Sequence, residues 1–145
     1  MCSPQPKKPR VLVVDPSPMS GQLTAESLQS EGYDVVAAAT GERALILLRE
    51  WPRRIDWLYT AIELPGLVDG WIVADEYHQT HPSRSVIYAD GRSVERRTRP
   101  NAVFLQAPVP PGAVLRALRQ LGALGSPQPT TAVRGDGDGL LDLAA

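Results

Sequence analysis

Arg10-Val-Leu-Val-Val-Asp-Pro-Ser-Pro18 is a short apolar, β-branched run that breaks off at an aspartate and two prolines. A run of this kind is expected of a parallel strand buried on both faces. Ser17 is placed to cap a helix whose first residue is Pro18, where the missing N–H costs nothing. That helix is predicted to run to about Glu31, with Gly32 ending it.

Working outward, the same alternation recurs. Asp34 to Ala38 reads as a second strand, and Thr40 caps a second helix. In that helix Ala44, Leu47, Leu48 and Trp51 fall at i, i+3, i+4 and i+7, along one face. Ile55 to Thr60 reads as a third strand with Ala61 at its end. Asp69 caps a helix over about Gly70 to Thr80. Ser85 to Ala89 and Ala102 to Gln106 are the fourth and fifth strands. Gly91 to Asn101 between them is polar and arginine-rich, and supports at most a short fourth helix. Pro111 opens the last helix, with Val114, Ala117, Leu118 and Leu121 on one face. Five strands alternating with helices imply an α/β fold: a five-stranded, doubly wound parallel sheet with right-handed crossovers. In such sheets function sits beyond the carboxyl ends of the strands. Residues 1–9 read as a flexible lead and 10–121 as the domain. The Gly/Pro/Ser-rich stretch 122–145 has the composition of a disordered tail.

The bulk numbers fit one soluble domain. The chain has 145 residues, 43% hydrophobic and 21% charged, with a formal net charge of −1. That charge gives no reason to expect nucleic acid or a membrane as partner. Cys2 is the single cysteine, so no disulfide forms within the chain. The polar first residues lack the apolar core of a signal peptide, and no run is long enough to span a bilayer. A cytoplasmic protein is the expectation.

Val11-Leu-Val-Val-Asp15, Leu64-Pro-Gly-Leu-Val-Asp-Gly70, Val86-Ile-Tyr-Ala-Asp-Gly91 and Phe104-Leu-Gln-Ala-Pro108 together resemble the response-regulator receiver domains of bacterial two-component systems. The resemblance covers residues 10–121 and implies the flavodoxin-like topology. In that family an acidic pair after the first strand binds Mg²⁺, and an aspartate ending the third strand accepts a phosphoryl group. A Thr or Ser after the fourth strand and a Lys before a proline after the fifth hold the phosphate. The cations neutralise two negative groups that would otherwise repel.

Here the pattern departs at almost every such position. Asp15 keeps the first acid, but Pro16 stands at the second. Ala61 stands at the acceptor position and Ala107 at the lysine position. Asp90 best matches the hydroxyl position, although a one-residue slip puts Ala89 there. Val109 follows Pro108 where an aromatic is common. With no acceptor and no fixed positive charge, the resemblance implies a degenerate pseudo-receiver. It would not be an enzyme, would need no cofactor or metal, and would act in signal transduction by phosphorylation-independent protein contact. Partners implied are a histidine kinase, a phosphotransfer protein or another regulator, with a homodimer left open. With no output domain after the receiver, output is expected to pass through protein contact.

Two alternatives stay open: phosphorylation at an atypical carboxylate, and sensing of a small ligand, preferentially a cation, in the altered pocket. Glu63, at the mouth of that pocket, reads as a solvated loop residue or a stand-in acid. Arg92, Arg96, Arg97 and Arg99, with Val109, form a candidate interaction surface. His78 and His81 lack further zinc ligands and read as exposed polar residues. Trp51, Trp57 and Trp71 read as core or core-edge. Gly135-Asp-Gly-Asp-Gly139 reads as linker, not as a calcium loop. The terminal Leu143-Ala-Ala145 raises the question of a degradation tag.

Overall fold

The structure, a computed structural model, describes residues 8–51, 54–90 and 101–123. Among these residues the elements are β1 (Arg10–Val14), α1 (Pro18–Gln29), β2 (Asp34–Ala38), α2 (Gly41–Glu50), β3 (Trp57–Ala61), α3 (Gly70–His78), β4 (Val86–Asp90), β5 (Ala102–Gln106) and α4 (Pro111–Ala123). All strand pairs are parallel, in the order β2-β1-β3-β4-β5. The doubly wound α/β architecture expected from the strand–helix alternation is the one observed. The N-terminal residues to 7, the segment 91–100 with its four arginines, and everything from 124, the Leu-Ala-Ala end included, lie outside the described residues.

The helices sort to two faces because side chains alternate along each strand. On one face Val11, Val13, Trp57, Tyr59, Ile87 and Ala89 pack with Leu28 of α1 and with Val114, Ala117 and Leu118 of α4. On the other, Leu12, Val14, Leu58, Val86 and Tyr88 pack with Ala44, Leu47 and Leu48 of α2 and Val73, Ala74 and Tyr77 of α3. Val11 to Val14 are buried completely, which is why β1 is apolar without alternation.

The predicted caps are present. Ser17 Oγ accepts from Ser20 N–H at 3.3 Å, Thr40 Oγ1 from Arg43 N–H at 3.1 Å, and Asp69 Oδ1 from Ile72 N–H at 3.0 Å. Helix α1 stops at Gln29, two residues earlier than expected. Tyr33 N–H donates to Leu28 C=O and Gly32 N–H to Gln29 C=O, with Gly32 at φ 94°. This Schellman end uses the glycine, but as the residue beyond the cap.

β3 begins at Trp57 rather than Ile55. The carbonyl of Asp56 is taken by Tyr77 Oη–H at 2.6 Å and Arg84 Nη1–H at 2.7 Å. Its carboxylate accepts Arg10 N–H at 2.8 Å, and Arg10 also bridges to Asp34 at 2.8 Å. The amino ends of β1, β2 and β3 are thus tied by polar groups, and the ladder starts inside them. His78 and His81 take part at this end too, and are half-buried rather than exposed. His78 Nε2 lies 2.9 Å from Arg84 C=O, and the His81 ring stacks on Tyr77 at 4.8 Å.

At the opposite end, α3 starts directly over β3. A Cβ added at Gly70 would sit 2.2 Å from Ala61 C=O, a backbone atom that cannot move aside cheaply. Gly70→Ala is therefore expected to destabilise the fold by about 1–3 kcal/mol, the usual cost of overpacking. A thermal melt followed by circular dichroism should show a transition several degrees lower.

Candidate functional site

The parallel register sets which residues share the cleft beyond the strand carboxyl ends. Val14 pairs with Thr60, and Ala61 with Ala89. Ala89 in turn pairs with Leu105. Partners in register point to the same side of the sheet. Ala61, Ala89 and Leu105 all belong to the α1–α4 face. Asp15 lies two residues after Val13 and faces α1 on that side, where a Cβ at Gly21 would lie 3.4 Å from its Cβ, while Ala107 lies in the turn that follows β5.

The register also separates Ala89 from Asp90. Asp90 is the last residue of β4 and is buried. Alternation puts its side chain on the opposite face, with Tyr88 and Thr60. Ala89, not Asp90, therefore stands beside Ala61. The register pairs Ala61 with Ala89, and β4 runs one residue further than its apolar stretch implies. The Asp90 carbonyl accepts Ala107 N–H at 3.0 Å, which seats the turn after β5. The Ala107–Pro108 bond of that turn is cis.

Asp15 is the ionisable group of the strand-end positions brought together here. Its Oδ1 accepts Ser17 N–H at 2.9 Å, closing a short turn that leads chain into α1. Pro16 is exposed on that turn, and Glu63 is exposed on the loop after β3. Val109, taken as part of an interaction surface, is half-buried and packs against the α1–α4 core. Arg92, Arg96, Arg97 and Arg99 fall in the segment outside the described residues.

The cleft does not fit a resident divalent ion. Mg²⁺ needs near-octahedral oxygen coordination. Asp15 is a single carboxylate with one oxygen already committed, and alanine supplies no side-chain oxygen. Among the described residues no group of three or more His, Cys, Asp or Glu side chains is placed to hold a metal.

Three features escaped the sequence reading. Glu42 reaches from α2 to accept Leu67 N–H at 3.0 Å, with Gly66 at φ 90° against its carboxylate. This fixes the loop after β3, and no local pattern marks a glutamate in the first turn of a helix for such a task. Trp71, Tyr88 and Phe104 form an aromatic cluster on the α2–α3 face, with centroids 4.8 and 5.2 Å apart for Trp71–Tyr88 and Tyr88–Phe104. Trp57 is buried, while Trp51 and Trp71 are half-buried, as core or core-edge residues. The third feature is Tyr59, which points to the α1–α4 face beneath Ala61. Burial, and secondarily the Asp15 charge, push its ionisation well above the usual tyrosine range.

No protein-family profile matches the sequence, and no curated protein is similar to it. Solved structures do resemble it. A response regulator receiver protein from Sinorhizobium medicae is similar with a TM-score of 0.72 and 23% identity, over 79% of this chain and 94% of that one. The signal receiver domain of an HD domain-containing protein from Pseudomonas fluorescens is similar at 0.68 and 26%, over 81% and 97%. The receiver domain of the hybrid histidine kinase CckA is similar at 0.66 and 26%, over 77% and 97%. The chain has a receiver-like fold, and that fold supports a role in signal transduction.

The tyrosines give a pH test. Free tyrosine ionises near pH 10. Burial raises the folded value of both Tyr59 and Tyr77. Above about pH 10 the unfolded chain loses protons that the folded chain keeps. Stability is thus fully present below that pH and falls as pH rises further. Tyr59→Phe should flatten the alkaline limb of a denaturation-against-pH curve without abolishing it, since Tyr77 still contributes.

Proposed function

We propose that this protein is a pseudo-receiver, a signalling module that works through protein contact and takes up no phosphoryl group. The observation that carries the reading is the register that pairs Ala61 with Ala89 at the strand ends. With Ala107 in the turn after β5, the residues at the positions where a receiver places its acceptor, its hydroxyl and its lysine carry only methyl groups. Phosphoryl transfer to a carboxylate requires a nucleophile and cations to offset the gathering negative charge. Asp15 supplies negative charge only, and its geometry serves the turn to α1. Asp90, the acid nearest in sequence, is directed to the other side of the sheet, away from that cleft.

A phosphate-driven switch needs a contact that differs between the two states. Without one, the fold keeps a single conformation available to a partner. The partner class that fits is another component of a phosphorelay: a histidine kinase, a phosphotransfer protein or a second regulator. Occupying such a surface without accepting phosphate would hold the partner back from its usual target. No described helix is long and apolar enough to cross a membrane. We place the protein in the cytoplasm, where such partners present their phosphorelay surfaces.

The test is incubation with acetyl phosphate and Mg²⁺, followed by intact mass. The expected spectrum is that of the unmodified chain alone. A species heavier by one phosphoryl group, lost on substitution of Asp15 or Asp90, would overturn the reading in favour of an unorthodox acceptor.

A further inference from the structure

Two polar ties mark the seam where α2 packs on α3. At one end the Glu42 carboxylate accepts Leu67 N–H at 3.0 Å, and at the other Arg49 bridges to Glu76 at 3.5 Å. Glu42, Ile46 and Arg49 fall at i, i+4 and i+7 of α2, and Ile72 and Glu76 at i and i+4 of α3. Residues at those spacings share a helix face. Ile46 and Ile72 therefore stand on the two sides of one seam, between the ties, with Leu67 at its head. None of the three is buried: Leu67 is 92% exposed, and Ile46 and Ile72 are each 43% exposed. The loop tip that carries Leu67 is held in place. Gly66 takes φ 90° against the Glu42 carboxylate, and Leu64 and Val68 pack on the core to either side. Apolar side chains scattered singly over a surface are ordinary, but three gathered along one seam mark a contact surface.

The chain carries a segment that matches this seam. Leu140-Leu-Asp-Leu143 follows the Gly/Pro/Ser-rich stretch after α4. Residues 124–139 can extend over about 55 Å. A domain of this size is roughly 35 Å across, so the leucines can reach either face of the sheet. A short tether holds such a segment at an effective concentration of about a millimolar, which lets even a small surface be occupied. Charge selects among the surfaces. Arg43 is exposed three residues before Ile46 and makes no ion pair with a described residue. Asp142 lies between Leu141 and Leu143 and brings the opposite charge. The other exposed large apolar side chains among the described residues, Met19 and Leu23, belong to α1, beside a groove lined by Asp15 and Glu26. Those carboxylates repel an acidic segment.

We propose that Leu140-Leu-Asp-Leu143 docks on the α2–α3 seam of its own chain, with its leucines against Leu67, Ile46 and Ile72 and Asp142 beside Arg43. An outside partner that needs the same seam must then displace the segment. The inference uses no part of the strand-end cleft and stands whether or not phosphoryl transfer occurs there.

A spin label on the full chain tests it. A nitroxide is attached through Ala144→Cys in a Cys2→Ser background, and the isoleucine and leucine methyls are observed by NMR. The expected result is paramagnetic broadening concentrated on Leu67, Ile46 and Ile72 and unchanged on dilution. Leu141→Asp with Leu143→Asp should abolish the broadening while the core methyls of Leu12 and Ile87 keep their positions. Ile72→Ser, at a half-exposed position, should reduce it several-fold at Leu67 and Ile46. Broadening that passes between chains, from a nitroxide on one copy to methyls of an unlabelled copy, would give the seam to a second molecule and overturn the proposal. Uniform broadening, or broadening centred on Leu23, would overturn it as well and leave the seam to an outside partner.

Discussion

The structure depends on the parallel register of β1, β3, β4 and β5. A parallel strand buried on both faces has no solvent side, so each residue must suit a packed layer above or below. Val11 to Val14 meet that demand on both faces at once. Once β1 is held so, the register of its neighbours fixes which side chains share the cleft beyond the sheet. A slip of one residue in β4 would turn Asp90 into that cleft and Ala89 out of it. The chemistry available at the site is therefore a property of strand pairing, set by apolar packing several residues away.

The two ends of the sheet are built differently. At the amino ends, polar groups grip the strands: Arg10 with Asp34 and Asp56, and Tyr77 and Arg84 on the Asp56 carbonyl. Arg10 and Arg84 also lie over Trp51 and Trp57, at 4.8 and 4.9 Å from the ring centroids. Here charge is neutralised and hydrogen bonds are made, which is what a stabilising end requires. At the carboxyl ends Ala61 and Ala89 are small, and among the described strand-end residues Asp15 is the charge on their face. Among the described residues, the side-chain hydrogen bonds that tie strands together are concentrated at the amino ends. The small side chains at the carboxyl ends cost the scaffold little, because the interactions that secure it are elsewhere.

The loop after β3 illustrates the same division. It retains its shape through Glu42, Gly66 and Gly70, each of which serves the backbone path and none of which touches a reacting group. The path of this loop is thus set by packing and backbone hydrogen bonding alone.

Much of this was legible in the chain itself. Apolar periodicity marked all five strands, and Ser17, Thr40 and Asp69 marked three helix starts, because capping and burial patterns act between residues close in sequence. Ala61 and Ala107 could be placed by their spacing from Pro65 and Pro108. The start of β3 and the end of β4 could not be placed, because they depend on partners far along the chain: Arg84 and Tyr77 for Asp56, Ala107 for Asp90. The same holds for the half-buried setting of His78 and His81, and for Glu42 on the distant loop. The sequence by itself determined the layers and which residues stand at the strand ends. Which of Ala89 and Asp90 stands in register with Ala61 was decided only when strands distant in sequence locked together, since a one-residue shift reverses every side chain and no local signal carries that choice.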